Sequence, residues 1–243
     1  MPRILGPTYA WAAYVVFAAT ILYAVGFVSN LVVPKSVDSG PAGPMSMALP
    51  IDLALVALFG LQHSVMARQD FKTWWSRIVP ESVERSTYVL FSSLALILLF
   101  WQWRPIPTVI WNIESRPLAL LLQGLALAGW ITSGAASMLI DHASLFGLAE
   151  VKETPFRTPG LYKYVRHPIY SGSLVAFWAT PRMTAGHVLF SAAMTAYIFI
   201  GMFYEERNLI GKYGAAYERY RKAVPMIVPL RGRQAPHSSS VIR

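Results

Sequence analysis

Residues 8–33 form an apolar run without a single charged side chain, and this run constrains the fold more than any other feature. A helix that crosses a bilayer needs about 20 consecutive apolar residues, so the run is long enough to span. It is also too long for the core of a cleavable signal peptide and lacks a small-residue cleavage site after it. Because 55% of the chain is hydrophobic and only 14% is charged, an integral membrane protein is predicted.

Three further apolar segments predict membrane-spanning helices at 47–66, 86–103 and 117–140. A stretch rich in proline, glycine and serine, 34–46, separates the first two spans. Small residues in the last of the three are expected to let neighbouring helices approach closely. These residues are Gly124, Gly129, Gly134 and Ala135.

The C-terminal part of the chain predicts a helical hairpin rather than two independent spans. Residues 168–180 are apolar but too short to cross alone, 181–186 form a turn, and 187–204 are apolar again. The second arm is expected to continue into 205–222, a basic amphipathic stretch lying along the membrane surface. The predicted fold class is therefore all-α: a polytopic membrane bundle of about four full spans, a C-terminal hairpin and a cytoplasmic amphipathic helix.

The distribution of basic residues predicts the orientation. If the N-terminus is cytoplasmic, inner segments hold 17 of the 21 Lys and Arg residues and outer segments hold the other four, as the positive-inside rule requires. Both termini are then cytoplasmic. The formal charge of +9 is explained by this membrane face, so no nucleic-acid partner is predicted. We expect one membrane domain at 1–229, with its ligand-binding part at about 141–229, and a disordered tail at 230–243.

The chain has no cysteine, so disulfides, thiolate metal sites and cysteine nucleophiles are excluded. No metal site and no obligate protein partner are predicted. The polar chemistry concentrates instead around an Arg-His-Pro sequence at the start of the hairpin. Pro168 suits the first position of a helix, whose free N–H groups favour anions. Arg166 adds a permanent charge, His167 a titratable ring, Tyr170 a hydroxyl and Gly172 room for a ligand. The alternative is an interfacial anchor, with Arg166 and Tyr170 at the lipid headgroups.

Two adjacent carboxylates, Glu205 and Glu206, end the second arm of the hairpin. Like charges beside lipid are costly, so at least one is expected to face a polar cavity or a cation, although Arg207 could be a structural partner. Together the two clusters place an anion site and an acidic site across one hairpin. A positively charged, zwitterionic ligand with hydroxyl groups would fit.

The sequences "RHPIYSG" and "EERNLIGKYGAAYERYRKAVPMIVP" resemble the C-terminal signature of the integral membrane methyltransferases that include isoprenylcysteine carboxyl methyltransferase and phospholipid methyltransferases. The resemblance implies an S-adenosylmethionine site. The residues it implies at that site are Arg166, His167, Pro168, Tyr170, Gly172, Glu205 and Glu206. In the N-terminal half, "LQHSVMARQDFKTWW" and "DHASLFGL" are similar to the bacterial methanethiol S-methyltransferases and the related NnrU-type membrane proteins. This second resemblance implies conversion of methanethiol to dimethyl sulfide, in a bacterial inner membrane.

An alkyl thiol is mostly protonated at neutral pH, as cysteine is with a pKa of about 8.5, so a methyltransferase acting on it needs a proton acceptor. His63, beside Gln62 and Ser64, and His142, beside Asp141, each end a predicted span on the cytoplasmic side. Both are candidate catalytic residues, with Asp141 orienting the second ring. The alternative for each histidine is a hydrogen-bonded residue at the membrane interface.

Two further residues are candidates for the acceptor site. Asp52 is too costly to face lipid, so it either pairs structurally inside the bundle or lies near the substrate. Tyr88 lies just inside the third span and could reach the site. Two other functions remain open at this point. One is methylation of a larger lipidic or prenylated acceptor, and the other is a non-enzymatic, NnrU-like membrane protein.

Overall fold

The computed structural model describes residues 5–149 and 155–229 of the 243-residue chain. Within them lie nine α-helices, a 3-10 helix and two short strands. In chain order these are α1 (Leu5–Ser29), α2 (Met45–Met66), α3 (Gln69–Trp75), α4 (Glu81–Gln102), β1 (Val109–Asn112), α5 (Arg116–Ile140), α6 (His142–Leu145), the 3-10 helix Gly160–Lys163, α7 (Pro168–Trp178), β2 (Arg182–Thr184), α8 (Ala185–Tyr213) and α9 (Ala215–Ala223). The predicted all-α bundle is confirmed.

Five of these helices, α1, α2, α4, α5 and α8, are long and apolar enough to cross a membrane. Their outer faces carry large apolar side chains in contact with the surroundings: Leu22 is 73% exposed, Leu121 57% and Ile131 61%. Apolar surface on this scale requires lipid rather than water around it. The chain is an integral membrane protein.

The first span ends earlier than predicted. The sequence predicts a span to residue 33, but α1 stops at Ser29 because the backbone reverses at Asn30, which adopts a φ of 55°. The side chain of Asn30 bonds to Ser36 and Asp38 and so holds the reversal. The uncharged residues that follow belong to the connection to α2.

A short antiparallel pair of strands fixes the predicted hairpin. β1, between α4 and α5, pairs with β2, between α7 and α8; Val109 lies opposite Thr184 and Asn112 opposite Arg182. The turn of the hairpin therefore lies at the same end of the molecule as the connection from α4 to α5. At 1.5 Å per residue the 11 residues of α7 cover only about 17 Å. Residues 179–181 then connect the end of α7 to β2 at the far end of the bundle.

The surface helix is shorter than predicted. α8 continues without a break through Glu205 and Glu206 to Tyr213, and the chain turns only at Gly214, where φ is 53°. Glycine adopts this left-handed conformation without steric cost. The amphipathic helix is thus α9 alone, and the segment 205–213 belongs to the fifth long helix. The tail predicted at 230–243 lies outside the described residues.

The core contains an aromatic cluster and one very close helix contact. Phe27, Phe100, Trp103, Phe177 and Phe190 are buried together near the end that holds the strands. α5 and α7 meet at Gly129 and Gly172, where a Cβ on Gly172 would lie 2.4 Å from the backbone oxygen of Gly129.

Close approach was also predicted at three other small residues of α5. A Cβ built at Gly124 or Gly134 meets nothing within 4 Å among the described residues, and Ala135 is exposed. These predictions were wrong because the three residues lie on the outer face of the helix. Of these four small residues, Gly129 is the one that packs against α7.

Candidate functional site

The structure gathers nearly all the sequence-predicted site residues at one end of the bundle. They come from the end of α2, the start of α4, the residues after α5, the start of α7 and the last third of α8. In that order the residues are His63, Tyr88, Asp141, His142, Arg166, His167, Pro168, Tyr170, Glu205 and Glu206. This end is opposite the β1–β2 pair. Asp52, 11 residues before His63 on α2, lies about 17 Å away along the helix axis.

Glu206 is the centre of a buried ion-pair cluster. Its Oε1 accepts a hydrogen bond from Nε of Arg166 at 2.7 Å and lies 3.1 Å from Nε2 of His167. The whole residue is only 7% exposed. Arg166 also donates from Nη1 to the backbone oxygens of Arg221 at 3.0 Å and Val224 at 2.6 Å. The guanidinium therefore neutralises Glu206 and fastens the segment after α9.

Glu205 lies in a different environment, although it is the next residue in the chain. Nδ1 of His167 lies 3.7 Å from its Oε2. The Glu205 side chain keeps 45% of its surface accessible, whereas that of Glu206 keeps only 9%. Glu205 is thus the carboxylate available to a ligand.

The start of α7 is held by the segment that follows α9. The backbone N–H groups of Arg166 and His167 donate to the oxygens of Pro225 and Met226, at 2.9 and 3.1 Å. Pro168 is fully buried and is the first residue of α7, as its chemistry predicts. Gly172 was predicted to make room for a ligand, but the structure uses that room for the backbone of α5.

A second cluster lies beside the first and contains His63. Its Nε2 is 2.6 Å from the hydroxyl of Tyr88, and its Nδ1 is 3.1 Å from Oγ of Ser92. The rings of Phe59 and Tyr197 flank the imidazole, with centroids 5.5 and 6.2 Å away. Tyr197 lies on α8 eight residues before Glu205, about 12 Å along the helix axis. The His63 cluster is therefore at the same end of the bundle as Glu205 and Glu206.

His142 lies in a third cluster at the same end. Its Nε2 is 2.9 Å from the hydroxyl of Tyr14 and its Nδ1 is 3.2 Å from Oγ of Ser137. The Asp141 side chain accepts a hydrogen bond from the backbone N–H of Ser144 and so caps α6. The ring nitrogens of His142 are thus held by Tyr14 and Ser137, and Asp141 holds the short helix that follows.

Asp52 serves the opposite end of the molecule. It is completely buried, and its Oδ1 accepts a hydrogen bond from the backbone N–H of Arg104 at 2.8 Å, just after α4. Lys35 lies nearby and donates to the backbone oxygen of Trp101. Burial, together with the neighbouring Arg104, lowers the pKa of Lys35. Asp52 therefore holds the backbone at this end of the bundle and lies far from the other candidate site residues.

Sequence reasoning did not single out several residues that complete these clusters, including Tyr14 and Ser137 around His142. Ser92 and Tyr197 surround His63, and Tyr217 of α9 is buried beside the ion-pair cluster with only 2% of its surface exposed. Burial raises the pKa of the Tyr217 hydroxyl, and the nearby carboxylate of Glu206 raises it further. The four-residue spacing of Tyr88 and Ser92, which places both on one helix face, was the available signal for Ser92.

Comparisons with known proteins identify relatives of the chain. It is 54% identical to methanethiol S-methyltransferase 1 of Bradyrhizobium diazoefficiens over 232 residues, which cover 92% of this chain and 81% of that protein. It is 46% identical to methanethiol S-methyltransferase of Mycobacterium tuberculosis, over 94% of this chain and 98% of that one. A more distant relative is Nurim of Sus scrofa, at 29% identity over 68% of this chain and 70% of that protein. No family model and no solved structure matches the chain.

Proposed function

Because the chain belongs to the methanethiol S-methyltransferase family, we propose that it transfers a methyl group to the thiol of methanethiol and forms dimethyl sulfide. The observation that carries this proposal is the match to enzymes of that name along nearly the entire chain. The ion-pair cluster around Glu206 and the cluster around His63, both at one end of the bundle, support it.

The methyl donor in this proposal is S-adenosylmethionine, and the charges of the first cluster fit it. Glu205 and Glu206 carry two negative charges and Arg166 one positive charge, so the group is negative overall when His167 is neutral. The donor combines a sulfonium, an ammonium and one carboxylate, and is positive overall. When bound, it supplies a methyl group on a positively charged sulfur, which is the electrophile of the reaction.

The chain's own residues then divide the work of holding this donor. Glu205 has the more accessible side chain and is the carboxylate that would bind an ammonium or hydroxyl group. Arg166 and His167 hold Glu206 in the interior. The ring of Tyr170 lies beside His167, with the two centroids 5.7 Å apart. Pro168 and Gly172 fix the position of α7 against its neighbours.

The acceptor thiol belongs beside His63 in this proposal. The aromatic rings of Phe59, Tyr88 and Tyr197 flank the imidazole and make its surroundings apolar. Opposite charges disappear when a thiolate takes a methyl group from a sulfonium, so a dry, apolar site favours the transition state. His63 takes up the thiol proton, and His142 is the second candidate for that role.

The location of the enzyme follows the same proposal. The end that holds the site is the end to which the positive-inside rule assigns 17 of the 21 Lys and Arg residues. We place this end on the cytoplasmic side of a bacterial inner membrane, with both termini there.

The test is headspace gas chromatography of the purified, detergent-solubilised protein supplied with S-adenosylmethionine and methanethiol. We expect dimethyl sulfide from the wild type and at least about a tenfold loss in Glu205→Gln, because one charged hydrogen bond contributes roughly 1.5–3 kcal/mol. Calorimetric binding of S-adenosylhomocysteine, measured in parallel, separates donor from acceptor. Binding without dimethyl sulfide would refute methanethiol as acceptor, and absence of binding in the folded wild type would refute the donor.

A further inference from the structure

The hydrogen bonds around His63 determine which of its ring nitrogens carries a proton. The Ser92 hydroxyl donates its single proton to the backbone oxygen of Tyr88 at 2.9 Å. Towards Nδ1 of His63, 3.1 Å away, its oxygen can therefore only accept. Nδ1 must carry the hydrogen. In the neutral ring the lone pair then lies on Nε2.

The basic nitrogen of His63 is covered by a tyrosine. Since Nε2 has a lone pair, the Tyr88 hydroxyl, 2.6 Å away, is the donor in that bond. A thiol cannot make the same contact while the tyrosine occupies it. Any proton that reaches Nε2 from a substrate must therefore come through the oxygen of Tyr88.

Tyr88 and His63 lie at the end of the bundle that holds the carboxylates. The ring of Tyr197, 6.2 Å from that of His63, belongs to α8, and Glu205 follows it by eight residues, about 12 Å along the helix axis. From α4, the guanidinium of Arg85 lies 5.2 Å from the centroid of the Tyr88 ring. The histidine and the tyrosine that covers it therefore lie near the proposed donor site.

We propose that Tyr88 is a catalytic residue that relays the thiol proton to His63, with Ser92 as the positioning residue that fixes the ring. This inference rests on the proposed function. The S–H bond of the thiol breaks and its proton goes to Oη of Tyr88, while the phenolic proton goes to Nε2 of His63. The thiol sulfur uses its electron pair to bond the methyl carbon, and the pair of the broken carbon–sulfur bond stays on the sulfur of the donor. One positive charge is lost from the donor and one is gained by the imidazole.

The His142 cluster has the same arrangement but a different position. Ser137 donates to the backbone oxygen of Gly134 at 2.8 Å, so it accepts from Nδ1 of His142, and Tyr14 bonds Nε2. The hydrogen bonds of the two imidazole rings are therefore alike and do not show which histidine accepts the thiol proton. The contact of His63 with Tyr197, which lies on the same helix as Glu205, favours His63.

The test compares two thiols that differ in acidity. Methanethiol arrives protonated, whereas trifluoroethanethiol is ionised to a large extent near neutral pH because its fluorines withdraw electrons. We expect Tyr88→Phe to lower kcat for methanethiol by about 100-fold, as the loss of a proton-transfer group does, and to lower kcat for trifluoroethanethiol by less than about threefold. An equal loss for both thiols would make Tyr88 merely structural, and no loss for either would overturn the relay.

The pH profile and a matched variant complete this test. Raising the pH should restore methanethiol turnover in His63→Gln and in Tyr88→Phe, since the substrate then arrives as thiolate. Tyr23→Phe is the matched control, because it also removes one tyrosine hydroxyl, which donates to the backbone oxygen of Lys35 far from the site. It should keep wild-type activity on both thiols. Failure of high pH to restore either site variant would contradict proton transfer.

A readout independent of turnover checks the geometry directly. In protein labelled with ¹⁵N at histidine and free of donor, the His63 ring should carry its proton on Nδ1, and the signal is assigned by its absence in His63→Gln. A proton on Nε2 would overturn the relay even in an active enzyme. If the wild type makes no dimethyl sulfide at all, the proposed function fails and the relay fails with it. An active wild type with an unaffected Tyr88→Phe overturns the relay alone.

Discussion

Glu205 and Glu206 show how far neighbouring side chains on one helix can differ. Successive residues of an α-helix point about 100° apart, so one carboxylate faces Arg166 in the interior and the other has an accessible surface. Glu206 is paired and buried, and its loss would leave the buried guanidinium without a counterion. Glu205 has an accessible face, and its loss would remove a ligand contact.

This difference predicts that one conservative substitution lowers stability and the other weakens ligand binding. Glu206→Gln should lower the free energy of unfolding by roughly 3 kcal/mol, because it breaks a buried ion pair and leaves one charge uncompensated. Glu205→Gln should change the free energy of unfolding by less than about 0.5 kcal/mol and weaken binding of S-adenosylmethionine instead. Thermal unfolding in detergent and calorimetry measure the two effects. Equal destabilisation by both substitutions would contradict the assignment.

At this scale the sequence identified residues better than it identified their roles. The charged and aromatic residues of the 166–172 segment stood out because polar chemistry is rare in an apolar chain. The role of Arg166 could not be deduced, since two of its acceptors are backbone oxygens more than 50 residues downstream. The same holds for Gly172, whose partner Gly129 comes from another helix.

The packing of whole helices depends on the contact between α5 and α7. Because α7 carries Tyr170 and begins next to His167, its position against α5 sets the position of half the proposed donor site. Ser133 reinforces the contact by donating to the backbone oxygen of Ile169 at 2.7 Å. A side chain at the crossing point would push the two helices apart.

Gly172→Ala should therefore destabilise the protein by about 1–3 kcal/mol, the usual cost of overpacking a close contact. The new Cβ would lie 2.4 Å from the Gly129 oxygen, and backbone cannot yield as a flexible side chain can. The measurement is the thermal unfolding midpoint in detergent. Gly124→Ala is the control: its Cβ would meet no atom of residues 5–149 or 155–229 within 4 Å, and alanine favours a helix by up to about 1 kcal/mol. A Gly172→Ala protein as stable as this control would refute the close contact.

The ends of the helices were the least predictable elements. The apolar run of the first span continues past Ser29, but the turn at Asn30 depends on its bonds to Ser36 and Asp38. The polarity of the chain rises at Glu205, yet α8 continues because Arg166 and His167, from the segment before α7, satisfy Glu206. Local pattern located the helices, and tertiary partners determined where they stop.

Across the whole molecule, the alternation of spans explains why distant sequence segments form one site. Each crossing returns the chain to the opposite face, so the end of α2, the start of α4 and the end of α5 meet at the same end of the bundle. The sequence predicted that these segments share one end, because membrane spans and basic residues can be identified without knowledge of the tertiary structure. It could not predict the β1–β2 pairing, which ties the turn of the hairpin to the other face.

The proposed orientation predicts a labelling pattern that can be measured without background, because the chain contains no cysteine. Ser76→Cys follows α3 at the end that holds the site, and Ser115→Cys precedes α5 at the opposite end; both positions are exposed. A membrane-impermeant maleimide should label Ser115→Cys in intact spheroplasts and Ser76→Cys only after the membrane is opened. The reverse pattern would place the proposed site on the outer face, away from a donor supplied by the cytoplasm. Labelling of both positions in sealed spheroplasts would mean that the two ends of the bundle do not lie on opposite sides of a membrane.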